Sequence, residues 1–202
     1  MRTLTKDLKV FVLPGGRMPE RRKGAEGFDA FHRAIVAKEH EHEKFPMRSK
    51  KWDFSGKAVG LLPNRVYYGT SPFYRAAESE MVVLGLGIIV DLGNHKDPEY
   101  NWSFTVESRS GTGLSGIRNL MTNVPVDSDF RGEPIAVLQA IGPSFFDIYP
   151  GGSLVQLIFR GPNGWRFPNL VRVKSFSELS VSARGFCCHY TKNHPDPVLA
   201  PA

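Results

Sequence analysis

The sequence predicts an all-β fold, a sandwich or jelly-roll-like barrel with one short helix and one inserted excursion. Glycine (20) and proline (15) supply 35 of 202 residues, a share that disfavours long helices. Phenylalanine alone numbers 14, and aromatic rings suit the half-buried pleated surface of a strand. Beyond Met81, short apolar segments alternate with turn signals: Gly93-Asn94, Gly142-Pro143, Pro150-Gly151-Gly152 and Gly161-Pro162-Asn163-Gly164. Short strands with such regular punctuation build sandwiches and barrels.

Lys6–Leu13 reads as a first strand, stopped by Pro14-Gly15-Gly16. Within residues 29–44, Ala30 through Lys44 is the one helical candidate before residue 100. Residues 45–80, with Pro46, Pro63 and Pro72, read as the excursion, with short strands at Ala58–Leu62 and Arg65–Tyr68. The later strands are expected at Met81–Asp91, Trp102–Ser108, Pro134–Ala140, Phe145–Ile148, Leu154–Arg160 and Leu170–Val173. One β domain over residues 1–192 is expected, followed at 193–202 by a proline-rich tail that does not fold.

Hydrophobic residues at 41% and charged residues at 23% are ordinary for a globular domain and exclude disorder as the main state. The longest apolar run, Met81–Val90, is broken by Gly85 and Gly87 and closed by Asp91, short of the roughly 20 residues that span a bilayer. The segment Met1–Asp7 has no apolar core of a secretory signal, so a soluble intracellular protein is expected. Cys187 and Cys188 are adjacent, which excludes a disulfide scaffold and agrees with a reducing compartment.

The formal charge of +6 is uneven: residues 1–57 hold 14 Lys+Arg against 8 Asp+Glu, and the remainder holds 12 of each. A basic N-terminal third attracts phosphates, on nucleic acid or on a nucleotide. No interleaving of basic and aromatic residues accompanies it, so nucleic acid is not the expected partner. His40-Glu41-His42 resembles a metal motif only superficially, because i and i+2 point apart on a helix. Cys187-Cys188-His189, even with His194, lacks the spacing of a zinc site. Neither a phosphate-binding Walker loop nor a Gly-x-Ser-x-Gly nucleophile elbow is present.

The most informative segment is Asn123–Glu133: an apolar strand, the acidic turn Asp127-Ser128-Asp129, then Phe130, Arg131, Gly132 and a further strand. It reads as a β-hairpin whose tip sets a carboxylate beside an aromatic ring. Such a carboxylate serves either as general base for a water or simply as the solvated tip of a turn.

In company with four other segments, this stretch resembles the third motif of the trimeric dUTPase family, Asp-x-x-Tyr-x-Gly. Glu107-Ser108-Arg109-Ser110-Gly111 resembles the second motif, 18 residues before Asp127. Gly24-Ala25-Glu26-Gly27-Phe28-Asp29 is similar to the first, with Leu13 and Met18-Pro19 leading into it. Phe146–Ile158 is similar to the fourth, and Ser182–Thr191 is a degenerate fifth. The five follow family order over residues 13–192, with the excursion between the first two.

The resemblance implies a dUTPase-like jelly-roll of the β-clip type, assembled as a homotrimer with shared active sites. It implies an Mg²⁺-dependent pyrophosphohydrolase that splits dUTP into dUMP and pyrophosphate. Asp127 would activate the water that attacks the α-phosphorus, and Phe130 would pack under the deoxyribose. Arg109, Ser110 and Gly111 would bind phosphates, and Asn123 would join the substrate-binding set. Asp29 and Gln156 would hold waters of the Mg²⁺, with Gln156 also on the substrate side. Arg184 would close over the γ-phosphate, and His189 would stack on the base. The compartment implied is the cytoplasm, or a host cell's cytoplasm or nucleus for a viral protein.

Three departures from the family pattern stand out. Phe130 replaces the motif-three tyrosine, and Gly152-Ser153 replaces an Asp-Arg pair in motif four. In motif five, Cys187, Cys188 and Tyr190 stand where glycines are usual. They leave two alternatives: a protein of this fold that binds without catalysis, or the same chemistry on dCTP or a modified pyrimidine nucleotide. The related dCTP deamination is not expected, since Val137 stands where that reaction needs a glutamate and Gln139 nearby is no carboxylate.

Overall fold

The computed structural model describes residues 6–13, 15–37, 66–67, 73–76, 78, 80–93, 101–141, 145–149, 151–164 and 167–180. Their strands are β1 (Asp7–Val12), β2 (Phe28–Ala30), β3 (Ala34–Ala37), β4 (Val66–Tyr67), β5 (Tyr74–Ala76), β6 (Met81–Gly85) and β7 (Ile88–Asp91). Then follow β8 (Ser103–Ser108), the single short helix α1 (Ser110–Leu114), β9 (Ile117–Asn119) and β10 (Pro125–Val126). The last are β11 (Ile135–Ala140), β12 (Phe146–Ile148), β13 (Val155–Arg160) and β14 (Asn169–Val173). The all-β class stands, with one short helix among the described residues.

Among the described residues four sheets form, in the orders β14-β1-β7, β10-β8-β13-β2, β4-β3-β6-β11-β9 and β12-β5. Every pairing is antiparallel except β1 with β14. Alternation along β13 shows how the sequence sets the faces. Val155, Leu157 and Phe159 are buried while Gln156 and Ile158 are partly exposed, as a two-residue period requires. The inward residues meet in one core with Phe28, Leu84, Trp102, Phe104 and Leu138. Phe159 packs against Phe28 and Phe104 with centroids 5.3 Å apart in each pair. A second cluster of Phe11, Leu13, Ile89, Val173, Phe176 and Leu179 covers the outer side of β1 and β7.

The helix expected over Ala30–Lys44 does not form at its N-terminal part. Phe28–Ala30 pairs with β13, and Ala34–Ala37 lies between β4 and β6. Ile35 and Val36 are β-branched, stiff in a helix and favourable in a strand, and the free edge of β6 supplies the hydrogen-bond partners. Residues 38–44 lie outside the described residues, as do the strand expected at Ala58–Leu62 and the tail at 193–202. Of the excursion, β4 coincides with the strand expected at Arg65–Tyr68, and β5 pairs with β12.

The expected strand Met81–Asp91 is two strands. Gly87 has a φ of 66°, a left-handed value open to glycine at no steric cost, and the chain passes there from one sheet to another. The crossing is tightly held. Leu13 N–H donates to Gly87 O at 2.9 Å. Glu133 accepts from Gly87 N–H at 2.7 Å and takes the fork of Arg33 at 2.8 and 2.7 Å.

The 123–133 segment is a crossing rather than a hairpin. β10 pairs with β8, whereas β11 pairs with β6 and β9 in a different sheet. The acidic turn therefore links two layers, which a local sequence pattern does not distinguish from a hairpin.

Two outcomes follow from this packing. A Cβ added at Gly16 would lie 2.1 Å from Gly87 O, so Gly16→Ala is expected to cost about 1–3 kcal/mol, read as a lower urea midpoint. His32 is 2% exposed and has neither ring nitrogen hydrogen-bonded among the described residues. Burial pushes its imidazole from 6.5 down to about 4, against the opposing pull of the Gly152 and Tyr149 carbonyls. The unfolded chain thus binds a proton that the folded one refuses between these values. Stability contributed by neutral His32 is complete above pH 6.5 and falls by about 3 kcal/mol as pH drops towards 4. His32→Leu should remove this slope from thermal unfolding measured between pH 7.5 and 4.

Candidate functional site

The sheet β10-β8-β13-β2 carries Asp29 and Gln156, and the predicted residues that flank its strands fall into two groups. In the first, Gln156 of β13 stands opposite Asp29 of β2 and Glu107 of β8. Arg109 follows β8 directly, and its Nε reaches Asp29 Oδ1 at 3.1 Å. Arg109 is also held by its neighbours: Nη1 donates to Ser153 O at 2.8 Å, and its backbone N–H donates to Leu154 O at 3.3 Å. The Thr112 hydroxyl donates to the same Leu154 carbonyl at 2.7 Å, fixing the turn that presents Ser110 and Gly111. Both of those residues are exposed, and a Cβ built on Gly111 meets nothing within 4 Å.

Gln156 fits closely against the first motif. Its Nε2 donates to Ser108 O at 3.4 Å, and a Cβ at Gly27 would fall 2.7 Å from its Oε1. A larger residue there would push the Gln156 amide and the Ile158 methyl aside.

The second group sits at the other end of β8. Register places Pro125 opposite Thr105 and Val126 opposite Phe104, so Asp127 follows beside the start of β8, and Arg109 follows its end. At a strand rise near 3.4 Å per residue, the two are separated by about 20 Å. Asn123 lies between them, at φ 62°, its N–H donating to Glu107 Oε1 at 3.0 Å. Asp127 is exposed and Phe130 partly exposed. A turn closes with Phe130 N–H on Asp127 O at 3.0 Å. One chain brings Asp29, Arg109, Ser110, Gly111 and Gln156 together, and sets Asp127 and Phe130 apart from them. Arg184 and His189 lie outside the described residues.

What shapes the Asp127 turn is Arg131, a residue to which no motif assigns a role. Arg131 has no exposed side-chain surface. Its Nη1 donates to Ser128 O at 2.7 Å and Phe130 O at 2.9 Å. Its Nη2 reaches Asp91 Oδ1 at 2.8 Å, Gly93 O at 2.7 Å and Ser180 Oγ at 2.8 Å, and Nε donates to Ser180 O at 3.1 Å. Burial would raise the Asp91 carboxyl, but the Ser180 hydroxyl and N–H, the Arg131 charge and the Gly93 N–H together hold it below 3.8. The signal available in the sequence was an arginine inside an otherwise acidic turn.

Comparison with known proteins decides the family. No family model matches the chain. The deoxyuridine 5'-triphosphate nucleotidohydrolase of Chlamydia muridarum is 31% identical over 114 residues, 55% of this chain and 75% of that protein. This chain belongs to the dUTPase family. Among solved structures, the dUTPase of phage phi11 of S. aureus is 17% identical with a TM-score of 0.48, covering 85% of this chain and 99% of the phage protein. The native EIAV dUTPase is 15% identical with a TM-score of 0.46, covering 80% and 94%. In this dUTPase-family chain, no group of three His, Cys, Asp or Glu is arranged to hold a metal among the described residues. The oxygens on offer are the Asp29 carboxylate and the Gln156 amide. These are hard donors, too few for a cage and suited to a cation that keeps its waters.

Arg131 and Asp91 give a direct prediction. Removing one partner strands a buried charge, so Arg131→Met should cost about 3–5 kcal/mol. Arg131→Met combined with Asp91→Leu should cost less than the sum of the single variants. Asp91 contributes stability above 3.8 that is lost as pH falls through its lowered folded value. Acid unfolding followed by circular dichroism should therefore lose this component in Asp91→Asn.

Proposed function

We propose that this chain hydrolyses a deoxynucleoside triphosphate, dUTP by preference, to the monophosphate and pyrophosphate, in a homotrimer whose sites are shared between protomers. The observation that carries this is the placement of the motif residues. The set around Arg109 and the Asp127 turn lie at opposite ends of β8, too far apart to serve one substrate within one chain. A ring of copies brings one protomer's Asp127 to its neighbour's Arg109, as closed symmetry allows. Membership of the dUTPase family supports the reaction class.

In this reading Asp127, exposed at its turn, takes a proton from a water whose oxygen bonds to the α-phosphorus. The bond from that phosphorus to the α,β-bridging oxygen breaks, and pyrophosphate leaves with that oxygen. Phe130 packs against the sugar. Arg109, held by Asp29 and the Ser153 carbonyl, presents a guanidinium to the phosphates, and the open space over Gly111 admits a phosphate oxygen close to the backbone. Asp29 and Gln156 would hold magnesium through water, and the ion would supply charge neutralisation on the triphosphate.

The test is pyrophosphate release with Mg²⁺ from dUTP, dCTP, dTTP and UTP. Asp127→Asn should lower turnover about 10²–10⁴-fold without unfolding the protein. Asp127→Asn and Arg109→Ala, each inactive alone, should recover turnover when co-expressed, because a mixed trimer contains sites with both native groups. Failure to complement would refute sharing. Release only from another nucleotide would move the base preference to that nucleotide. A folded trimer that turns over nothing would make this a binding protein.

A further inference from the structure

The basic surplus of the N-terminal third includes Arg17, Arg21, Arg22 and Lys23, which no motif absorbs. The structure separates the three arginines. Arg17 pairs with Glu20 and stacks 4.0 Å over the Phe31 ring. Arg21 stacks 3.7 Å over Phe167 and donates Nε to Ala25 O at 2.9 Å. Arg22 does neither. Its Nε lies 3.4 Å from Asp29 Oδ2, with 74% of its side chain exposed.

The segment bearing Arg22 is fixed against the site. Glu20 and Asp29 exchange both backbone hydrogen bonds, at 3.0 and 2.7 Å, and Ala25 N–H closes a turn on Arg22 O at 3.0 Å. Asp29 thus stands between two guanidiniums, Arg109 on Oδ1 and Arg22 on Oδ2. One carboxylate serves two cations, one on each oxygen. The ion pair of an exposed arginine is weak, whereas guanidinium–phosphate pairs are strong and often bidentate.

The geometry points to Arg22 as a further substrate-binding residue: it leaves Asp29 and takes an oxygen of the phosphate chain, complementing Arg109 from the opposite side of the carboxylate. This rests on the reading above that the chain binds a nucleoside triphosphate, and it adds a group from outside the motif positions. Its release also frees an oxygen of Asp29 when the substrate arrives. Arg22 contacts the polyphosphate only, so its contribution depends on the number of phosphates.

The test compares wild-type trimer with Arg22→Gln and the charge-retaining Arg22→Lys, using two readouts. Calorimetry with inorganic tripolyphosphate and Mg²⁺ should show binding weakened about tenfold in Arg22→Gln and partly restored in Arg22→Lys. With dUTP, the loss should fall on KM more than on kcat, while inhibition by dUMP stays as in wild type. Equal tripolyphosphate affinity in wild type and Arg22→Gln would overturn the inference, as would an equal loss of dUMP affinity, which would mark a structural defect. Tripolyphosphate binding that depends on Arg22, in a protein that turns over no nucleotide, would support Arg22 and refute the hydrolase reading. Absence of tripolyphosphate binding in wild type would overturn the inference about Arg22 and leave the hydrolase reading to the turnover assay.

Discussion

Arg131 and Asp91 form the contact on which the presentation of Asp127 depends. A guanidinium with no exposed surface is tolerated only when its donors are matched, because an unpaired buried charge costs several kcal/mol. Here the donors are matched across three stretches of chain. The Ser128 and Phe130 carbonyls come from the acidic turn, Asp91 from the end of β7, Gly93 from just beyond it, and Ser180 from the far end of the described chain. The turn holds its shape because its carbonyls bind a charge that is itself anchored elsewhere. Asp91 returns the favour by accepting the Ser180 N–H and hydroxyl, both at 2.6 Å. Asp127 lies exposed on a turn whose Ser128 and Phe130 carbonyls are bonded to Arg131.

The other half of the machinery is held by a different device. Asp29 and Gln156 sit opposite each other on neighbouring strands, and Arg109, one residue past β8, is held to Asp29 and Ser153, so their spacing follows from sheet geometry rather than from a single anchor. Rigid strands hold polar groups more precisely than loops do. Gly27 lets Gln156 close on this cluster, and Thr112 ties the start of α1 to the strand beside it. Of the N-terminal arginines, Arg17 and Arg21 engage rings, and Arg22 reaches the cluster through Asp29.

Most strands from Trp102 onward are legible because glycine or proline marks their ends; burial alternates in β12 and β13, whereas β8 and β11 each bury three residues in a row. The helix expected over Ala30–Lys44 gives way to β3 in its described part. Its alanines and its charged continuation suit either structure, and the edge of β6 that decides the matter is nearly fifty residues away in sequence. Met81–Asp91 looked like one strand because a turn at Gly87 leaves no polar break, only a glycine among apolar residues. The candidate site was legible as a set of motifs, since Asp127, Arg109 and Asp29 each lie in a short pattern. Arg131 and Arg22 were not, because their partners Asp91, Ser180 and Asp29 are identified by contact and not by spacing.

By itself the sequence determined the all-β class, the position of most strand ends, the family resemblance and the residue types available for phosphate chemistry. These depend on local properties: backbone freedom at glycine, the two-residue period, and short runs of functional side chains. Only the tertiary structure decided that the 123–133 segment crosses between sheets, that Arg131 is the buried anchor of its turn, and that Asp127 lies about 20 Å from Arg109 along β8. Strand partners are chosen by burial and edge pairing over long sequence separations, and no local pattern encodes which edge is open.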